Sequence, residues 1–449
     1  MRPPIDWAEA TEEAIGHFKA LLRIDTTNPP GNERPAADYL ARTLDAEGID
    51  YTLVESEPGR ASLVARLKGR GGGGGPLLLN GHLDVVPAER ERWTHDPFGA
   101  VEADGFIWGR GALDMKNMVA MALTTLVLLK RSGAPLARDV VFAAVADEEA
   151  GSRRGSVFLC EKHPELVRAE YVLGEVGGHT LYLGGRRYYP VQVAEKGVCW
   201  FEMVAEGEPG HGSMPHAHNA VVALARAVAA LGSVRLPPHA HPVVENFLRT
   251  VARGAPLAER HLLPLLLEPR LAGHLLRLLE RANPSRAKGL NAMLRDTTSP
   301  TMLEGGGKIN VIPTRASARV DGRMLPGQTV AAFLDEVRRV VGPGIALNVI
   351  EAHEGVSFPA DTPLYAAICQ TLARHDPDGV PVPYMIPGFT DAFAYATLGA
   401  VCYGFAPLRL GPELDFTSLF HGHDERVPRA GFAWGVRVLY ELVRDFCAA

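Results

Sequence analysis

Three short runs that are apolar at every position stand out in the first 190 residues. Leu77-Leu78-Leu79 leads into Gly81-His82, Val140 to Val145 into Asp147-Glu148-Glu149, and Tyr171-Val172-Leu173 into Gly174-Glu175. Runs apolar on both faces predict buried parallel strands rather than half-solvated antiparallel ones. Between the first two, Met115 to Arg131 carries helical spacing and stops at Ser132-Gly133, a helix-ending pair. Strand and helix patterns in alternation predict an α/β domain. The Gly71 to Gly75 run reads as a surface loop, since no Lys-Ser/Thr pair follows to make it a phosphate loop.

The pattern changes near Val191. Val191 to Glu206 alternates as a strand pair around Lys196-Gly197, Asn219 to Leu231 is an Ala/Val-rich helix, and Thr314 to Arg323 alternates as a strand. Val330 to Val341 is an amphipathic helix and Ile345 to Ile350 a strand again. This order predicts a small βαββαβ sandwich, ferredoxin-like, interrupted at about 235–300 by a Leu/Arg-rich helical insertion. After Glu354 the α/β pattern returns, with a helix from Thr362, a β-run at Ala400 to Phe405 and a last helix after Pro428. The expected architecture is one split α/β domain (1–190 and 355–449) with a mixed, mostly parallel sheet, and a smaller inserted domain (191–354).

Composition narrows the function classes. The 449 residues are 47% hydrophobic and 22% charged, with a net charge of −6. No basic block exists to hold a phosphate backbone, so a nucleic-acid partner is not expected. No apolar run reaches the roughly 18 residues of a membrane span. The start Met1-Arg2-Pro3-Pro4-Ile5-Asp6-Trp7 lacks the apolar centre of a signal peptide, and a cytoplasmic protein is expected. Five scattered cysteines form no CxxC pair, so neither a disulfide framework nor a thiolate zinc site is indicated.

Chemistry collects where strands end, the usual ligand edge of α/β sheets. The positions are His82 and Asp84 (Gly-His-Leu-Asp-Val-Val-Pro), Asp114 (Gly-Arg-Gly-Ala-Leu-Asp-Met-Lys), Glu148-Glu149, Glu175, and His421 (His-Gly-His-Asp-Glu-Arg). Taken singly each has a plainer reading: a capped turn, a solvated helix start, a surface histidine. Together, imidazoles and carboxylates without thiolates suit Zn²⁺ or a similar divalent ion at a catalytic site. That many carboxylates at one edge require counter-charge, which one or two dications supply.

The ordered motifs resemble the M20 metallopeptidase family, which includes aminoacylases, carboxypeptidases, dipeptidases, and acetylornithine and succinyl-diaminopimelate deacylases. They run Gly81 to Pro87, Trp93 to Phe98, Gly109 to Lys116 and Asp147-Glu148-Glu149. They continue with Gly210-His211-Gly212-Ser213, Asn310-Val311-Ile312-Pro313, Asp321-Gly322-Arg323, Gly388 with Thr390-Asp391-Ala392, and His421 with Asp424-Glu425.

The resemblance implies two zinc ions, with cobalt or manganese as substitutes. His82, Asp114 and Glu175 would hold one, and Asp114, Glu149 and His421 the other, Asp114 being shared. It implies Asp84 orienting His82, Glu148 as general base, and a cis peptide after Asp114. It also implies His211 as an oxyanion donor in dimeric members, Asn310 and Arg323 as carboxylate binders, and Gly388 and Thr390 as donors near the substrate. The inserted domain would then be a lid or dimerisation domain. The expected enzyme hydrolyses an amide bond of an N-acyl amino acid or short peptide with a free carboxylate, as a possible homodimer. Acetylornithine-type deacylation is the alternative within the family. A non-catalytic binding protein on the same fold, or a di-metal phosphoesterase, are the alternatives outside it.

Overall fold

The apolar runs at 77–79, 140–145 and 171–173 become the strands Leu77–His82, Val140–Val145 and Tyr171–Gly174 in a computed structural model. The structure describes residues 5–414 and 416–448, without the side chains of Ala258, Ser285 and Thr417. Contacts divide the chain into two compact units. One comprises Met1–Val193, Phe358–Tyr384 and Thr390–Ala449, the other Ala194–Ser357 and Met385–Phe389.

The first unit is built on a mixed sheet. Val140–Val145, Leu77–His82, Tyr171–Gly174 and Val401–Gly404 lie side by side and parallel. The hairpin Tyr51–Glu57/Arg60–Leu67 adds antiparallel on one flank, and Arg186–Glu195 on the other. Every residue of Leu77–His82 and Val140–Val145 is buried, which explains why neither run alternates. Helix Lys116–Ser132 is buried along nearly its whole length, beneath Trp7–Leu22 and Arg429–Cys447. The ammonium of Lys116, itself buried, donates to the carbonyls of Leu21 and Ile24 at 3.1 and 2.7 Å. It thereby pins the turn in which the first helix ends.

The second unit carries a four-stranded antiparallel sheet in the order Thr297–Gly305, Arg315–Met324, Gly197–Glu206, Ile345–His353. Helices Ala220–Ser233 and Val330–Val341 pack on it around Phe201, Met203, Leu224, Val320, Phe333 and Val337. Chain order and strand order together are those of a ferredoxin-like βαββαβ sandwich. The helices Pro242–Gly254, Leu257–Leu262, Pro269–Ala282 and Pro284–Leu294 form the insertion. Strand Thr297–Gly305 had no clear signature in the sequence. Pro300 lies in it at a register shift, which an edge strand tolerates. The short stretch Met385–Phe389, expected with the α/β part, groups with this unit.

Candidate active site

Parallel strands bring their carboxyl ends to one edge of the sheet. His82 is the last residue of its strand and pairs in register with Val145 of the next, two residues before Asp147. Glu175 directly follows Tyr171–Gly174 on the other side. Asp114 and His421 arrive on loops that a small sheet ties together. Arg426–Pro428 pairs antiparallel with Phe106–Trp108, just before the Asp114 loop. Glu425, fully buried, completes the tie. Its carboxylate accepts the backbone N–H groups of Leu113 (2.6 Å), Asp114 (3.1 Å) and Gly111 (3.1 Å), and the Arg110 guanidinium at 2.7 Å. The Asp114-Met115 peptide bond is cis.

Asp114 is the centre of the cluster. Its Oδ1 lies 2.9 Å from His82 Nε2, which is also 3.5 Å from Glu175 Oε2. Its Oδ2 lies 2.9 Å from His421 Nε2, which is also 3.1 Å from Glu149 Oε2. Two groups of donor atoms result, His82/Asp114/Glu175 and Asp114/Glu149/His421, the atoms of each within 4.8 Å of one another. The other oxygen of Glu149, Oε1, is buried with no hydrogen-bond partner among the described residues, and buried polar atoms rarely stay unpaired. Imidazole nitrogens, carboxylate oxygens and an unpartnered oxygen among them fit a divalent metal cofactor.

The electrostatics agree. Asp84, Asp114, Glu148, Glu149 and Glu175 crowd around two imidazoles. Burial, reinforced by neighbouring carboxylates, pushes Asp84 up to about 7 and Glu175 up to about 8. Burial, then the charges of Glu175 and Glu149, hold Glu148 well above the usual carboxylate range. Burial alone would lower the imidazoles. Hydrogen bonds to the carboxylates of Asp114 and Glu149 instead carry His421 to about 10, and Glu175 with Asp114 holds His82 well above its ordinary value. Burial and mutual repulsion thus disfavour the charged forms of Asp84, Glu148 and Glu175, and added positive charge would favour them.

Asp84 reaches His82 differently from expectation. The His82 Nδ1 contact runs to the main-chain carbonyl of Asp84 at 2.9 Å, and the carboxylate stands 3.6 Å away. The carboxylate instead accepts the backbone N–H groups of Glu148 and Glu149, both at 3.1 Å, and the amide of Asn28 at 2.8 Å. It therefore fixes the loop carrying both glutamates. Under that loop, Arg60 forks onto Glu33 (2.7 and 2.8 Å) and reaches Asp147 at 2.7 Å. Asp391 accepts from Ser152 (2.8 Å), Ser156 (2.5 Å) and Asn80 (2.9 Å). Ser152, at a position with φ 62°, thus supplies a bond that a glycine there could not. Asn28, Glu33, Arg60 and Asn80 carried no motif in the sequence. Asp391 and Glu425 lay inside motifs but were given no role.

The remaining predicted residues are distributed as follows. Thr390, buried in the first unit, accepts the Ala392 N–H at 3.1 Å with its hydroxyl. His211, Asn310, Arg323 and Gly388 belong to the second unit. There His211 pairs with Val311 in a two-residue ladder, and the Asn310 carbonyl accepts the Gly212 N–H at 2.9 Å. Arg323 forks onto Asp321 of its own strand at 2.7 and 3.0 Å and lies over the Phe389 ring. The Gly388 carbonyl accepts the Lys196 N–H at 3.0 Å.

Comparison with known proteins agrees with the cluster. Residues 78–445 match peptidase family M20/M25/M40. Aminoacylase-1 of Sus scrofa is 28% identical over 445 residues, covering 97% of this chain and 95% of that protein. The N-fatty-acyl-amino acid synthase/hydrolase PM20D1 of Homo sapiens is 31% identical over 390 residues, covering 82% and 74%. The M20 family metallo-carboxypeptidase Sso-CP2 from Sulfolobus solfataricus shares the fold, with a TM-score of 0.73 at 18% identity over 97% of this chain and 99% of that one. A family match across most of the length, joined to a carboxylate–imidazole cluster at the strand ends, makes this chain a member of peptidase family M20/M25/M40 and a hydrolase of amide bonds.

Proposed function

We propose that this chain is a two-metal hydrolase that releases amino acids from N-acyl amino acids. The observation that carries the reading is Asp114, which turns one carboxylate oxygen toward His82 and the other toward His421. A shared carboxylate is what two mutually repelling dications require. His82, Asp114 and Glu175 would hold one ion, and Asp114, Glu149 and His421 the other, zinc being the ion this donor set suits best. When bound, the pair would acidify a water and polarise the scissile carbonyl.

The chain's own residues do the rest. Glu148, buried beside the cluster and held high in pKa, takes a proton from the attacking water on its carboxylate and returns it to the departing nitrogen. Asp84 keeps Glu148 in place through the backbone N–H of that residue. For His211 as oxyanion donor, and for Asn310, Arg323, Gly388 and Thr390 as substrate contacts, support comes from the family motifs. Arg323 has its Nε and Nη2 engaged by Asp321, which leaves its Nη1 edge for a substrate carboxylate. The substrate class follows the relatives that span the chain, named aminoacylase-1 and N-fatty-acyl-amino acid synthase/hydrolase.

The test is a hydrolysis screen of the chelator-stripped, Zn²⁺-, Co²⁺- or Mn²⁺-reconstituted protein. N-acetyl, N-fatty-acyl and N-acetylornithine substrates compete against dipeptides. Faster cleavage of N-acyl amino acids than of dipeptides is expected, and a clear preference for dipeptides would move the reading to the peptidase side of the family.

A further inference from the structure

The helical insertion in the second unit is joined to the sandwich through two strands of backbone that meet at its root. Pro238 and Arg295 form an antiparallel bridge, and the His239 N–H donates to the Leu294 carbonyl at 2.9 Å. Next to this bridge stand His239, where the insertion begins, and Asp296, where it ends. Facing both is Glu336 of helix Val330–Val341. One donor atom from each of the three lies within 4.8 Å of the others.

Two buried oxygens at this point have no hydrogen-bond partner among the described residues. Asp296 Oδ1 accepts the Leu325 N–H at 2.7 Å, but Asp296 Oδ2 accepts nothing. Glu336 Oε1 meets His239 Nε2 at 2.8 Å, but Glu336 Oε2 accepts nothing. Asp296 is 1% and Glu336 7% exposed, so bulk water does not serve these oxygens. Lys196 is the nearby cation, yet its ammonium donates to the carbonyls of Ala292 and Arg295 and to Thr297 Oγ1 at 2.8–3.1 Å. An imidazolium at His239 would serve one oxygen of Glu336 and leave the other two atoms orphaned. Two buried carboxylates with an unpaired oxygen each are costly unless a cation joins them.

We propose that His239, Asp296 and Glu336 form a third, structural divalent-metal site that clasps both ends of the insertion to helix Val330–Val341. The donor set, one imidazole and two carboxylates, suits Zn²⁺ or a close relative. The His239 side chain is 27% exposed, which gives the ion a route in from solvent. The ion's role there is to fix the root of the insertion.

The experiment uses the full chain, stripped with a chelator and reconstituted with Zn²⁺. Bound zinc is counted by elemental analysis for wild type, His239→Gln and Glu336→Gln. Each variant is expected to hold one equivalent per chain fewer than wild type. Equal zinc in all three proteins would overturn the site. Hydrogen exchange of the wild type supplies a second reading that needs no variant. Zn²⁺ should slow exchange at the amides of Leu236, His239 and Ala240 and of residues 294–297, and unchanged exchange there would equally overturn it. Both readings stand whether or not the Asp114 cluster binds two ions, because the first is a difference between variants and the second is local to the insertion root.

Discussion

Glu425 gives the sharpest test of how the Asp114 loop is held. It is fully buried and accepts three backbone N–H groups and one guanidinium. In Glu425→Ala the N–H groups of Gly111, Leu113 and Asp114 lose their acceptor, and each unpaired buried donor costs about 1–3 kcal/mol. Arg110 loses its carboxylate, and breaking a buried ion pair costs about 3–5 kcal/mol. These terms do not add. Arg110 also donates to the Gly422 carbonyl at 2.9 Å and lies over the Trp93 ring, which softens its loss. A local cost of about 3–5 kcal/mol is therefore expected, enough to speed amide exchange at Gly111, Leu113 and Asp114 by about 10²–10⁴-fold. Since the loop aims Asp114, zinc affinity should fall about 10–100-fold. Glu425→Gln keeps one carbonyl acceptor and should lie between wild type and Ala. Hydrogen exchange and zinc competition read both effects. Wild-type exchange at those amides together with wild-type zinc affinity in Glu425→Ala would refute this account of the loop.

Three further outcomes are expected. Glu148→Gln should lower kcat by about 10²–10⁴-fold with bound metal unchanged, as measured by turnover beside elemental analysis; near-normal kcat would remove Glu148 as the base. Arg60→Met leaves Glu33 and Asp147 buried without their shared cation. It should cost about 3–5 kcal/mol in chemical unfolding, and a loss under about 1 kcal/mol would mean that the network is not stabilising. Burial beside Phe416 lowers His179 from 6.5 to about 4. Above pH 6.5 it is neutral in both states. As pH falls from 6.5 to 4 only the unfolded chain takes the proton, so stability drops by about 3 kcal/mol, with the full loss reached below 4. His179→Phe should flatten that part of the unfolding profile, and an unchanged slope would contradict it.

What the sequence disclosed, and what it withheld, follows from the range of the forces involved. Leu77 to Leu79 and Val140 to Val145 were legible because a strand buried on both faces must be apolar throughout, a condition each residue satisfies alone. His82, Asp114, Glu149, Glu175 and His421, which the fold brings into one cluster, could be picked out because a metal site would restrict residue type, and each stands at a strand end or in a dense loop motif. Arg60, Glu33, Asn28 and Asn80 answer to no such local rule. Arg60 sits in a strand where an arginine normally points to water, and it is buried only because Glu33 and Asp147, 27 and 87 residues away, neutralise it. The same reasoning separates Glu425 from its neighbour. Asp424 bonds Thr94 at a largely exposed site, while Glu425 gathers the N–H groups of a loop more than 300 residues distant. Their adjacency in the motif hides that difference. Histidines and carboxylates that could hold a metal are restricted by chemistry, and pattern finds them. The groups that aim the ligands are selected by whichever partner the fold delivers, so at this site the aiming residues emerge only once the strands are in register.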